Sequence, residues 1–239
     1  MSASPTPSPP SPPSPPPPAP APAAGRLPDG DPLVLALFGL TVVSGIVDAV
    51  SYLGLGHVFA ANMTGNVVVV GFALAGAPGF SVLGSVTSLA AFLLGAALAG
   101  RFGRGRLRTA LLAEILLHLA AAGVVFAAGT DGDVQYAVIG LLALAMGIRN
   151  ATVRSLGVPD LTTTVLTMTL TGLAADATAP GHRSPRQRRR VLSALTMLAG
   201  VVPGALLVLH GRTAWALVAA AALTAAALAT AAPAIRRRG

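Results

Sequence analysis

The chain has no cysteine and no lysine, and charged and aromatic residues make up only 10% and 4% of its 239 residues. The absence of cysteine excludes disulfides, thiolate metal sites and cysteine nucleophiles. With so little charge, a soluble domain of this length could not cover its surface. Also missing are a phosphate-binding loop with its lysine, a GxGxxG turn, an HExxH pair and a GxSxG elbow. The four histidines form no pair with zinc-ligand spacing. These absences argue against ATP-driven pumping, nucleotide-dependent redox chemistry and metal- or serine-dependent hydrolysis. We expect no enzyme, no cofactor and no metal.

What is abundant is apolar: 54% of the chain, in runs of about 20 residues, each long enough to cross a hydrocarbon core of ~30 Å. The composition predicts an all-α, polytopic helical membrane protein whose first partner is the lipid bilayer. The apolar segments are 33–53, 58–76, 82–100, 109–128, 134–153, 156–175, 191–209 and 214–235. All 16 basic residues are arginine, and they cluster between these runs. The net charge of +8 therefore reads as membrane topology rather than nucleic-acid binding. Residues 1–31 are Pro-rich and low in complexity, the composition of a disordered, solvated cytoplasmic tail rather than a signal peptide. Residues 32–235 form the membrane domain, and 236–239 a basic end.

Eight full crossings conflict with the arginines. With Arg101, Arg104, Arg106 and Arg108 inside, Asp131 and Asp133 fall outside, and the fifth segment returns with Arg149 and Arg154 near its cytoplasmic end. A complete sixth crossing would then strand Arg183, Arg186, Arg188, Arg189 and Arg190 outside, against the positive-inside tendency. Segment two raises the same conflict. Six full spans plus two re-entrant or broken segments, the second and sixth, place every basic loop inside and both termini in the cytoplasm. Only Arg212 is left out.

Those two segments share a pattern. Gly45-Ile46 matches Gly147-Ile148, Asp48 matches Asn150, Ala49 matches Ala151, Leu55-Gly56 matches Leu156-Gly157, and Thr64 matches Thr167. With three true spans each, units of about 33–128 and 134–235 would be an inverted internal repeat, a recurring plan in secondary transporters.

The polar groups inside the apolar runs are the candidate site. Asp48 lies roughly 22 Å into the first span. A carboxylate there costs at least ~2.5 kcal/mol unless paired, hydrated or protonated. It reads as a proton or cation site, or as a structural partner of Arg149 or of a helix N-terminus. Asn62 and Asn66 share a face if their segment is helical, with Thr64 and Gly65 between them. Gly65 permits a break whose freed carbonyls hold a ligand; packing glue is the plainer alternative. In the second unit Asp160 is an N-cap, and Thr163, Thr164 and Thr167 either line a polar path or bond back to their own helix. Glu114 and His118, four apart, form a secondary polar pair: a proton relay, or a self-satisfying contact. "GVVPG" (200–204) marks close helix packing.

The stretches "GIVDAVSYLGLGHVFAANMTGNVVVVG" and "AMGIRNATVRSLGVPDLTTTVLTMTLTGLAAD" resemble the YoaK family of bacterial multi-pass membrane proteins, a domain of unknown function. The resemblance covers roughly Leu33 to Ile235. It implies an integral membrane protein of six or more helices in a bacterial plasma membrane, and implies no substrate. Met168, standing where the first unit has Gly65, departs from the repeat symmetry.

The expectation is a small secondary transporter or channel-like protein for a small polar solute or ion. Asp48, Asn62, Thr64, Gly65 and Asn66 would face Asn150, Thr163, Thr164 and Thr167. The alternative is a non-transporting scaffold or sensor in which the same groups only join helices; a lipid-active enzyme ranks third. Assembly of several copies is compatible with either.

Overall fold

A computed structural model describes residues 30–101, 107–156, 171 and 185–238. The Pro-rich tail, Asp160, and Thr163, Thr164 and Thr167 of the sixth segment lie outside the described residues. Seven helices are seen among the described residues: α1 (Pro32–Gly54), α2 (Met63–Leu74), α3 (Val82–Arg101), α4 (Leu107–Ala128), α5 (Val134–Ser155), α6 (Pro185–Leu209) and α7 (Thr213–Arg238). Six are long and apolar enough to cross a membrane, and the exception is α2. Its 12 residues span about 18 Å, well short of a hydrocarbon core of ~30 Å.

Local chemistry explains the ends. Asp31 caps α1 by accepting from the Leu33 N–H at 2.8 Å, and Pro32 occupies the first turn, where no N–H is needed. At the other end Gly56 (φ 81) and His57 (φ 59) take left-handed backbone, and the His57 N–H bonds the Tyr52 carbonyl at 3.1 Å. That is a Schellman stop, and it ends the helix where the apolar run continues.

Glycines set the crossings. A Cβ on Gly45 would strike the Met197 carbonyl of α6, and one on Gly200 the Val42 carbonyl of α1. In the other half, a Cβ on Gly147 would strike the Phe92 carbonyl of α3, and one on Gly95 the Leu144 carbonyl of α5. Two helix pairs, α1–α6 and α3–α5, therefore meet backbone to backbone. Gly204, one turn after Gly200, lies against Ile46 and Ala49, so the "GVVPG" stretch packs as expected.

These contacts also give direction. Gly54 meets Val208 and Thr213 while Gly45 meets Met197, so α1 and α6 run parallel. Gly140 faces Thr87 and Gly147 faces Phe92, so α3 and α5 run parallel to each other. The start of α1 clusters with the starts of α4 and the ends of α5 and α7 through Leu33, Leu37, Leu107, Leu111, Val153 and Ala231. The opposite cluster joins Val47, Ala121, Val138, Leu142 and Leu217. Thus α1, α4 and α6 run one way, and α3, α5 and α7 the other. Arg101, Arg108 and Arg154 lie at one end, and Asp131 and Asp133 at the other. Moreover, α5 ends and α6 begins at the same end of the bundle.

Helix α1 is the core element, with 83% of its apolar window buried, against 17% for α6. It packs on α6 and α7, while α5 packs on α3 and α4. One correction concerns Arg149. Rather than standing near the cytoplasmic end beside the exposed Arg154, it points into the bundle and is 1% exposed. The reason is helical phase: it lies one turn from Met146, Ala145 and Val153, all on the buried face of α5.

Candidate functional site

Two polar regions lie at membrane depth, one turn apart along α1. The first is the hairpin between α1 and α3. After His57 the chain turns back beside the last turns of α1, and Val58, Ala60 and Ala61 are buried there. It then climbs through α2, and Gly79 returns to His57, whose Nδ1 lies 3.1 Å from the Gly79 carbonyl. Tyr52, His57, Phe59, Phe72 and Phe80 form a chain of ring contacts at 4.7–5.6 Å. The hairpin thus enters and leaves at the same end, as expected for a re-entrant segment.

Its irregular backbone needs partners at this depth. Asp48 Oδ1 accepts from the Ala61 N–H at 2.8 Å, and Ser51 Oγ accepts from the Ala60 N–H at 3.1 Å. Asn66 clamps Phe59 on both sides: Oδ1 accepts from its N–H at 2.8 Å, and Nδ2 donates to its carbonyl at 2.6 Å. Ser88 Oγ in α3 donates to the same carbonyl at 2.7 Å. Asp48 and Asn66 therefore do the work that helix hydrogen bonds do elsewhere.

The remaining residues of the first motif sit around this hairpin. Asn62 and Asn66 do not share a helical face: Asn62 is the exposed N-cap of α2, accepting from the Gly65 N–H at 3.2 Å. Gly65 lies in the first turn, and the break comes before it; a Cβ there would sit 2.6 Å from the Phe59 ring. Thr64 is exposed.

The second region is a polar layer between the two apolar clusters. The Arg149 guanidinium is its centre. Nη1 donates to the Leu40 carbonyl and to Glu114 Oε1, both at 3.0 Å, and Nη2 donates to Ser44 Oγ and contacts Met146 Sδ. Thr224 of α7 approaches Glu114 Oε1 at 3.5 Å. Glu114 and His118 are both fully buried. Among the described residues, Glu114 Oε2 and both ring nitrogens of His118 have no hydrogen-bond partner. Asp48 stands one turn from Ser44 on the buried face of α1.

The layer joins four helices: Leu40 and Ser44 come from α1, Glu114 from α4, Arg149 from α5 and Thr224 from α7, and α4 packs on both α5 and α7. The structure thus brings Asp48 and Asn66 together at the hairpin, and Glu114 and His118 into the layer below it. Asn150, half-buried, follows Arg149 on α5. Sequence reading treated Arg149 as a residue near the cytoplasmic end or a partner for Asp48, and passed over Ser44, Ser88 and Thr224. An arginine inside a membrane-length helix was the available signal; serine and threonine in Ala-rich runs carry none.

A family model described as a protein of unknown function (DUF1275) matches residues 36–230. The UPF0700 transmembrane protein YoaK of Bacillus subtilis (strain 168) is 34% identical over 145 residues, which cover 57% of this chain and 64% of that protein. The aligned stretch is therefore less than two thirds of the relative's length. No solved structure matches.

Proposed function

The chain belongs to the DUF1275 family, that of the YoaK transmembrane protein, and from that premise we propose that it is a small secondary transporter or channel-like protein. Its cargo is a small polar solute or ion, and it sits in a bacterial plasma membrane with both termini cytoplasmic. One observation carries the reading. The polar layer joins Ser44 of α1 and Glu114 of α4 to Arg149 of α5 and Thr224 of α7 at mid-depth, with an apolar cluster on either side. A site that opens alternately to two faces has this arrangement. The hairpin of α2 starts at that depth, and Asp48 and Asn66 hold its tip above the layer.

Two further features support it. The paired glycine crossings, Gly45 with Gly200 and Gly147 with Gly95, relate α1–α6 to α3–α5 as an inverted repeat would. Arg101, Arg108 and Arg154 gather at one end, which we take as cytoplasmic, with Arg212 at the other. Within this repeat Asn150 is the counterpart of Asp48, and Thr163, Thr164 and Thr167 those of the first hairpin.

The test is solute flux in proteoliposomes over a panel of small ions, amino acids and sugars. Saturable uptake lost in Arg149→Gln supports transport. No flux for any solute, from protein whose fold is intact, supports the scaffold or sensor reading. That rival draws on the hairpin, where the polar groups of Phe59, Ala60 and Ala61 are paired without a ligand.

A further inference from the structure

We infer that the central layer binds a small solute through the solute's N–H donors, at Glu114 Oε2 and the His118 imidazole on one face of α4. The group it takes is an ammonium or a primary amide, and not a carboxylate or phosphate. The inference deepens the transport reading, on which it rests for its use, by naming the chemistry of the cargo.

Hydrogen-bond capacity decides the class. An arginine at the centre of the layer suggests an anion site, but its terminal donors are already spent. Nη1 gives its hydrogens to the Leu40 carbonyl and to Glu114 Oε1, both at 3.0 Å, and Nη2 turns to Ser44 Oγ and Met146 Sδ. The hydroxyls are committed too. Ser44 Oγ donates to the Leu40 carbonyl at 3.2 Å, and Thr224 Oγ1 to the Ala220 carbonyl at 2.9 Å. A carboxylate or phosphate only accepts, so it would have to break these bonds to win a donor.

What remains is mainly acceptor capacity. Glu114 Oε1 is filled by Arg149, whose ion pair holds the side chain as a carboxylate, and Oε2 has no partner among the described residues. Both ring nitrogens of His118 are likewise unpartnered. A neutral imidazole accepts at one nitrogen and donates at the other. Both side chains are 0% exposed, so no solvent reaches these atoms. Four residues apart, they project from the same face of α4, a helix packed on α5 and α7. Buried acceptors without a partner are costly unless a guest brings the hydrogens. An ammonium or primary amide brings two or three from a single nitrogen, so one group serves both side chains.

The experiment measures the rise in Tm of the full chain in lipid nanodiscs at pH 7 as probes are added at millimolar concentrations. Methylammonium and acetamide carry N–H donors with and without charge. Tetramethylammonium has the charge and no donor, and acetate has acceptors alone. Methylammonium, acetamide or both should raise Tm, and the other two should not. His118→Leu, itself melting no lower than the wild type, should weaken the apparent affinity by about tenfold or more, the usual loss with one buried partner. His118→Gln, which keeps an acceptor, should retain most of it. Glu114→Gln should weaken it as much as His118→Leu, because Arg149 keeps the amide oxygen and leaves an NH2 at the Oε2 position. Equal stabilisation by tetramethylammonium would mean that charge alone is read. Preferred binding of acetate would mean an anion site at Arg149, and no shift with any probe would leave the layer to water. Each of these overturns the inference, as does binding unchanged in His118→Leu. Binding by a chain that moves no solute of the flux panel leaves the site standing and removes transport; flux without binding of these probes does the opposite.

Discussion

The hairpin tip and the central layer lie one turn apart on α1 and share the same low-dielectric surroundings, yet their hydrogen bonding differs. At the tip, the N–H groups of Phe59, Ala60 and Ala61 each meet a side-chain oxygen. In the layer, Glu114 Oε2 and both nitrogens of His118 meet nothing among the described residues. Irregular backbone at membrane depth is stable only when paired, so the saturated region is framework. Buried titratable atoms without partners reduce stability, and a chain that carries them gains something else by it.

The comparison can be broken most forcefully at Arg149. Arg149→Gln should lower unfolding stability by about 3–5 kcal/mol, the usual result of removing one partner from a buried ion pair. Reversible denaturation in mixed micelles reads this directly. Adding Glu114→Gln should restore most of the loss, because the layer is again neutral; an additive double mutant would show that the two residues do not share a charge.

Next is the tip. Asn66→Leu leaves the Phe59 N–H unpaired and should cost about 2–3 kcal/mol. It should also make the hairpin accessible. A cysteine at Val58, in this otherwise cysteine-free chain, would then react with a thiol reagent that spares it in the parent. Smaller still is Asp48→Ala, about 1–2 kcal/mol for the orphaned Ala61 N–H. If Asp48→Ala proved costlier than Asn66→Leu, the carboxylate would do more than hold the loop.

The smallest effect has the opposite sign. His118→Leu removes polar atoms that bond to nothing, so thermal stability should stay level or rise. Loss of stability would mean that the imidazole has a structural partner, and would erase the distinction between the two regions.

Much of the framework was legible in the sequence. Apolar runs near 20 residues gave eight segments, and the arginine distribution singled out the second and the sixth as unable to cross. The second is the short α2, and most of the sixth lies outside the described residues. The glycine stop at Gly56 agrees with the reading of the second. Within the motif, Asp48 and Asn66 drew notice because polar groups are rare there, but their partners are backbone groups, which carry no sequence signal. Asn62 and Asn66, read as sharing a face if their segment is helical, do not share one, because Asn62 is the cap outside the helix. The second motif's threonines lie outside the described residues, so the facing of the two motifs stands as proposed.

Composition by itself determined the solvent of this protein. A chain that is more than half apolar, with its charge confined to short arginine clusters, can hide its backbone only as helices in a bilayer, and the clusters set which ends lie together. Tertiary structure decided which of the rare polar residues are framework and which are left unsatisfied. Glu114 and Arg149 are 35 residues apart, and Arg149 and Ser44 105 apart, and they meet only because glycine crossings set the phase of each helix against its neighbour. Helical periodicity places a residue on a face; contact between backbones settles what that face meets.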